Sequence, residues 1–397
     1  MERLEMKRHP WSDYLVCLAP ITLLVYTSLE SYCIDYRAFY LAGKAALNNL
    51  NPYINHIASS GLYYGPVNAE LALYSGWKYP PLATFLFVPL AQLPYETSKN
   101  LFNLISLLTG LSSACIAIRI SRRTISPVAI LMAGFSFPIL ATMDRGQVEI
   151  ILVAIATGSC YLISRGSARI GAALIGILAA FKIYPLLLCA SFTQLARGKA
   201  LRATTTLSVT LAIIGLMTIA WTPAPWRESF LTRISIAWDQ VPGQVLPALP
   251  KNTGIIEGTN TVRSVDARNL LHSHEFVFGF GNPLLTKNAP LAALIGVGGI
   301  ALTLRSHRHQ PIFQQSLAVM PWINVANPLA WIMGVTWYIP LFLHSFHRVN
   351  PRLRFLLILP LILPPSLNGS AYLGAAISLV IGRCVDTPAC DDTEAMS

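Results

Sequence analysis

Apolar stretches recur along nearly the whole chain, and short basic clusters punctuate them. Arg3, Lys7 and Arg8 precede the first, Arg119, Arg122 and Arg123 follow a later one, and Arg197, Lys199 and Arg202 follow another. A bilayer core takes about 20 apolar residues per helical crossing, and cationic residues collect on the cytoplasmic side of such helices. The pattern predicts an all-α, polytopic integral membrane protein. Composition agrees: 54% of the residues are hydrophobic and mean hydropathy is +0.53, too apolar for a soluble chain of this length. The net charge of +11 is spread over these clusters, so it builds no continuous basic face for nucleic acid. Seven cysteines without a C-x-x-C pair point to neither a zinc site nor a disulfide framework.

Charge placement also predicts an orientation in the cytoplasmic membrane. The first apolar segment, Tyr14–Tyr32, reads as a retained helix with a cytoplasmic N-terminus, which puts Asp35 outside. Leu101–Ile118 then runs in to the triple-arginine cluster. For that to hold, the short, proline-punctuated stretch Pro80–Pro94 cannot cross, and it reads as a surface or re-entrant helix at the outer leaflet. Pro127–Thr142 goes out and Val148–Ile163 returns. Ile170–Ala196 carries basic residues at both ends, so it reads as two short helices meeting at an outer turn around Lys182. Ala203–Trp221, Pro290–Leu304, the hairpin Ile312–Ala326 with Leu329–Leu343, and Phe355–Ile381, read either as one long tilted span or as two short ones split at Pro364-Pro365 and Asn368-Gly369, bring the total to roughly eleven or twelve segments. Residues 1–385 read as one domain with polar extracytoplasmic regions at about 34–99 and 222–288, and residues 386–397 as a disordered acidic tail.

Only 12% of the residues are charged, so an acid where a polar loop meets the bundle invites a chemical role. Asp35 suits a general base that takes a proton from an attacking hydroxyl, or else an N-cap for the helix starting near Tyr36. Lys182 suits a phosphate at the interface, or else snorkels. Asp144, Arg145, Gln147 and Glu149 cluster at a helix start, a place suited to anions and equally to routine capping. Asn260 and Arg263 offer amide and guanidinium groups in the second polar region, on what could equally be a solvated turn. His272, His274, His307 and His309 lack metal-site partners and are expected to be loop polarity. No P-loop, G-x-S-x-G or H-E-x-x-H is present.

Several blocks carry a resemblance. They are Asp35-Tyr36-Arg37-Ala38-Phe39-Tyr40-Leu41-Ala42-Gly43 leading to Asn51-Pro52-Tyr53, then Lys78-Tyr79-Pro80-Pro81-Leu82 running into Val88-Pro89-Leu90-Ala91-Gln92-Leu93-Pro94. Gly146-Gln147-Val148 and Phe181-Lys182-Ile183-Tyr184-Pro185 follow, with Asn260-Thr261-Val262-Arg263 a looser match. In this order they resemble the polytopic glycosyltransferases of the GT-C fold. Within these they are most similar to glycosyltransferase family 87, which includes polyprenol-phosphate-mannose-dependent α-1,2-mannosyltransferases. The resemblance implies a flat juxtamembrane helix at Pro80–Pro94 and a polyprenyl-phosphate sugar donor. It also implies an acceptor hydroxyl on a glycolipid or glycan and inverting transfer on the extracytoplasmic side. Asp35 would be the base, and Lys182, Arg145 and Arg263 would hold the donor phosphate. Arg37, Tyr40, Lys78, Tyr79, Asp144, Gln147, Glu149, Tyr184 and Asn260 would line the substrate site. Phosphate is already a good leaving group, so neither metal nor cofactor is called for.

The chain departs from the family pattern twice. Glu149 stands where relatives often carry asparagine after G-Q-x. Met333 and Gly334 replace a histidine pair that commonly follows the tryptophan at the position of Trp331. Two alternatives therefore stand beside the transferase: a lipid-linked-sugar transporter or flippase, and a catalytically degenerate binding protein. A transporter would more readily show an internal repeat and mid-membrane charges.

Overall fold

The computed structural model describes residues 20–26, 33–54, 77–120, 126–238, 289–326, 332–363 and 370–384. Among them every extended element is helical. Asn260, Arg263 and the acidic tail lie outside the described residues, as do His272 and His274.

Helix α1, Ile34–Leu47, lies against a 3-10 segment, Pro81–Phe87, that runs on into the single turn α2, Val88–Ala91. Prolines explain why this stretch forms no long helix. Pro81 and Pro89 sit at first-turn positions, where a missing N–H costs nothing, but neither could sit deep in a continuous helix. Gly43 permits the close approach of α1: a Cβ there would fall 2.6 Å from the Phe87 carbonyl oxygen and 2.8 Å from the Ala91 Cβ. Tyr40 then hydrogen-bonds the Leu93 carbonyl at 2.8 Å.

The long helix α3, Tyr95–Ile120, is apolar and long enough to cross a bilayer. The stretch expected to leave as one span is instead two helices, α4 (Pro127–Gly134) and α5 (Phe137–Arg145), bent by 47° at the Phe135–Ser136 break. Pro138 in the first turn of α5 cannot continue the α4 hydrogen-bond ladder. Next come α6 (Glu149–Ser164), α7 (Ala168–Phe181), a 3-10 segment Tyr184–Gln194, and α8 (Arg197–Trp221), the second helix of spanning length. The expected break at Lys182 is there, with Pro185 opening the 3-10 turn beyond it.

After α9 (Ala224–Trp238), the described chain resumes with α10 (Ala289–Ser306) and α11 (Ile312–Ala326). Where one span to Leu343 was expected, a 3-10 segment, Ile332–Tyr338, precedes a short α12, Ile339–Ser345, with Pro340 in its first turn. Of the two readings of the last apolar stretch, the structure has the divided one, with helices α13 (Arg354–Ile362) and α14 (Ser370–Cys384). Helix α11 occupies the middle of the bundle, with nearly every side chain buried and neighbours in α6, α10, α14 and the 3-10 segments Tyr184–Gln194 and Ile332–Tyr338. His307 is not loop polarity. It is fully buried, its Nε2 within 2.8 Å of the Ser378 carbonyl oxygen, and it ties α10 to α14.

Among the described residues two helices, or three if the bent pair is counted as one span, can cross a membrane by length and composition, and five shorter apolar helices accompany them. The molecule is a helical membrane protein.

Candidate active site

Helix α5 ends on Arg145, α6 begins on Glu149, and three residues connect them. Gly146 makes this turn possible. Its φ of 65° is left-handed, and a Cβ there would lie 2.5 Å from the Tyr36 Cβ, so a side chain would meet both backbone strain and a clash. With glycine, the end of α5 rests on the start of α1. Cys33 occupies the N-cap of α1, and Asp35 lies inside the first turn, so it does not cap the helix. Its carboxylate meets Arg145 in a two-pronged ion pair, Nε to Oδ2 at 2.5 Å and Nη2 to Oδ1 at 3.1 Å. Both side chains are almost wholly buried. Burial pushes the Asp35 carboxyl up, but the charge and hydrogen bonds of Arg145 outweigh it. Lys78 and a hydrogen bond from Gln147 add to that, and the group is held below the usual carboxylate range.

A second ion pair stands at the start of α6. Glu149 meets the Lys182 ammonium, which the break after α7 directs back across the bundle end. Tyr184 donates its hydroxyl to the same carboxylate, 2.8 Å from Oε1 and 2.9 Å from Oε2, and Trp337 donates its indole N–H to Oε2 at 3.1 Å. The ammonium also lies 5.5 Å above the Tyr79 ring and 5.7 Å from that of Tyr184, contacts that favour a cation. Burial opposes the charged form of Lys182, yet Glu149 holds it well above the usual lysine range.

Tyr79 joins the two pairs. Its ring stacks on Phe181 at 4.5 Å, and its backbone carbonyl accepts a 2.6 Å hydrogen bond from Tyr53. Burial pushes its hydroxyl up to about 12, with Lys182 opposing the rise and both Asp35 and Glu149 adding to it. One phenol thus senses all three charges. Residues far apart in sequence are linked here: Asp35 to Arg145 and Gln147, and Glu149 to Lys182 and Tyr184, with the Tyr79 ring beside the Lys182 ammonium.

Other residues expected here are engaged elsewhere. The Tyr40 hydroxyl fastens α1 to Leu93. Asp144 accepts a 3.1 Å hydrogen bond from Tyr26, in the helical stretch 20–26. Arg37 is buried two residues after Asp35, roughly 200° farther round the helix. Among the described residues no group of three His, Cys, Asp or Glu side chains could hold a metal ion.

Sequence reasoning missed Trp337. The one available signal was its place in the late segment where the histidine pair was sought. Met333 and Gly334 turn out to be packing residues. Met333 is buried, and a Cβ on Gly334 would fall 2.1 Å from the Asn324 Oδ1. Three and four residues further on, the segment reaches the ion pair with an indole instead.

A sequence model of glycosyltransferase family 87 matches residues 77–320. The chain belongs to glycosyltransferase family 87. The match runs from Trp77, just before Lys78 and Tyr79, through Arg145, Glu149, Lys182 and Tyr184, and stops short of Asp35 on one side and Trp337 on the other. Comparison with curated proteins and with solved structures returned no match. As a family 87 protein the chain is a membrane glycosyltransferase, and its site has to accommodate a sugar donor and an acceptor.

Proposed function

We propose that this glycosyltransferase moves a hexosyl or pentosyl unit from a polyprenyl phosphate to an acceptor hydroxyl on a glycolipid or glycan at the extracytoplasmic face. The observation that carries this is the pair of ion pairs, Asp35–Arg145 and Lys182–Glu149, anchored at the two ends of the three-residue turn between α5 and α6. A carboxylate suited to an acceptor proton and an ammonium suited to a donor phosphate are thereby paired with Arg145 and Glu149, the residues at the two ends of the short α5–α6 turn.

The acceptor oxygen attacks the anomeric carbon as the bond from that carbon to the phosphate oxygen breaks. The bonding pair leaves with polyprenyl phosphate, and the hydroxyl proton passes to Asp35. Arg145 occupies one lone pair on each Asp35 oxygen and Gln147 takes a third, which leaves one acceptor site for the hydroxyl proton. A strongly paired carboxylate is a weak base, so the proton moves late, once bonding to the anomeric carbon has made the hydroxyl acidic. Lys182 and Lys78 supply positive charge as the phosphate departs. Single displacement from the opposite face inverts the anomeric centre.

Purified protein incubated with a panel of polyprenyl-phosphate sugars and a membrane extract should release polyprenyl phosphate, and Asp35→Asn should abolish that release while keeping donor binding. Full transfer by Asp35→Asn would overturn the assignment of the base. Donor binding by wild type without any transfer would favour a binding-only protein.

A further inference from the structure

We infer that the Lys182 ammonium, the Tyr184 hydroxyl and the Trp337 indole N–H form a preassembled anion seat in which Glu149 is the resident occupant, and that the donor's phosphate enters by displacing it. This rests on the donor class proposed above. Three donors from two distant parts of the chain, 182–184 and 337, aim at the two oxygens of one carboxylate. A phosphate presents the same features, with negative charge and several acceptor oxygens on one centre.

Exposure separates the two ion pairs. The Lys182 and Glu149 side chains keep 14% and 9% of their surface accessible, against 2% and 3% for Arg145 and Asp35. Their chemistry differs too. Arg145 grips Asp35 with a rigid two-pronged fork, whereas Lys182 is a point charge on a flexible stem that can change partners. When Glu149 leaves, the Tyr79 and Tyr184 rings still flank the ammonium and the indole N–H still points at the vacated place. The seat therefore keeps its shape, and Glu149 acts as a built-in competitor that sets how tightly a phosphate is held.

The test is titration of purified wild-type protein with geranylgeranyl phosphate, beside Glu149→Gln and Glu149→Gln/Lys182→Met. Glutamine keeps an acceptor oxygen for Tyr184 and Trp337 but removes the competing charge. The single variant should bind about tenfold tighter or better than wild type, and adding Lys182→Met should erase the gain. A Glu149→Gln protein that binds no tighter than wild type overturns the inference and leaves the donor class standing. If no form binds geranylgeranyl phosphate, the donor class falls and the inference with it. A second readout uses wild-type protein, in case the glutamine variant does not fold. Saturating ligand should shift the Trp337 component of the indole emission, taken as the difference from Trp337→Phe. Binding that leaves this component unchanged also overturns the displacement.

Discussion

Asp35 and Arg145 are 110 positions apart in sequence, and their pairing is buried. Removing one partner of such a pair leaves a charge in a poor dielectric, at a cost of about 3–5 kcal/mol. Arg145→Ala should therefore lower stability by that order, and adding Asp35→Asn should restore part of it, as thermal unfolding in detergent would report. The pH dependence follows from the sign of the shift. Asp35 is held below its ordinary value of 3.8, so its contribution is complete above that value and is lost as pH falls through the folded one. The stability difference between wild type and Asp35→Asn should stay flat from about pH 5 to pH 8 and shrink below about pH 4. A difference that grows toward acid would contradict the pairing. Asp35 and Lys182 were legible in the sequence because charge is scarce and both sit at segment ends. Arg145 and Glu149 were candidates too, but their pairing with Asp35 and Lys182 was not legible, because linear spacing says nothing about which distant side chain a helix end will meet. Tyr40 shows the limit differently: its nearness to Asp35 in sequence does not say where its hydroxyl goes, and packing turns it to a backbone carbonyl.

At the level of elements, the site depends on two close approaches that only glycine allows. Gly146 brings the end of α5 onto α1, and Gly43 lays α1 on the Pro81–Ala91 stretch. Gly146→Ala adds left-handed strain of roughly 1–2 kcal/mol and a methyl group against Tyr36. It should separate Arg145 from Asp35, cutting transfer at least about tenfold while circular dichroism keeps its helical signal. Unchanged transfer would mean that the approach of α5 to α1 does not set the catalytic geometry. Breaks were legible where charge demanded them, as at Lys182, where basic residues flank both ends of one apolar stretch. The α4–α5 bend of 47° was not, since Pro138 lies within one long apolar stretch, 127–142, whose composition alone reads as a single span. Apolar periodicity likewise could not separate 3-10 from α geometry in Tyr184–Gln194 and Ile332–Tyr338, because both bury the same residue types.

For the whole molecule, the decisive physical statement is that lipid is its solvent, and α8 tests it most directly. Only 11% of the apolar window in this helix is buried inside the protein, and Val209, Ile213, Leu216 and Ile219 stand exposed. The other face packs on α7. Ala203 and Leu207 are buried, and a Cβ added at Gly176 would lie 3.0 Å from the Thr210 Cγ2. In water, an aspartate on the exposed face would be harmless and the apolar side chains themselves would be a liability. In a bilayer the order reverses, with a charge near the helix centre costing about 2.5–3.5 kcal/mol on insertion scales. Ile213→Asp should therefore sharply reduce the protein recovered in the membrane fraction. Ile213→Leu should leave it unchanged, and Ala203→Leu should insert normally yet unfold at lower temperature because it jams the α7 contact. A soluble, fully folded Ile213→Asp protein would mean that α8 does not face lipid, and the position of the site at a membrane surface would fall with it.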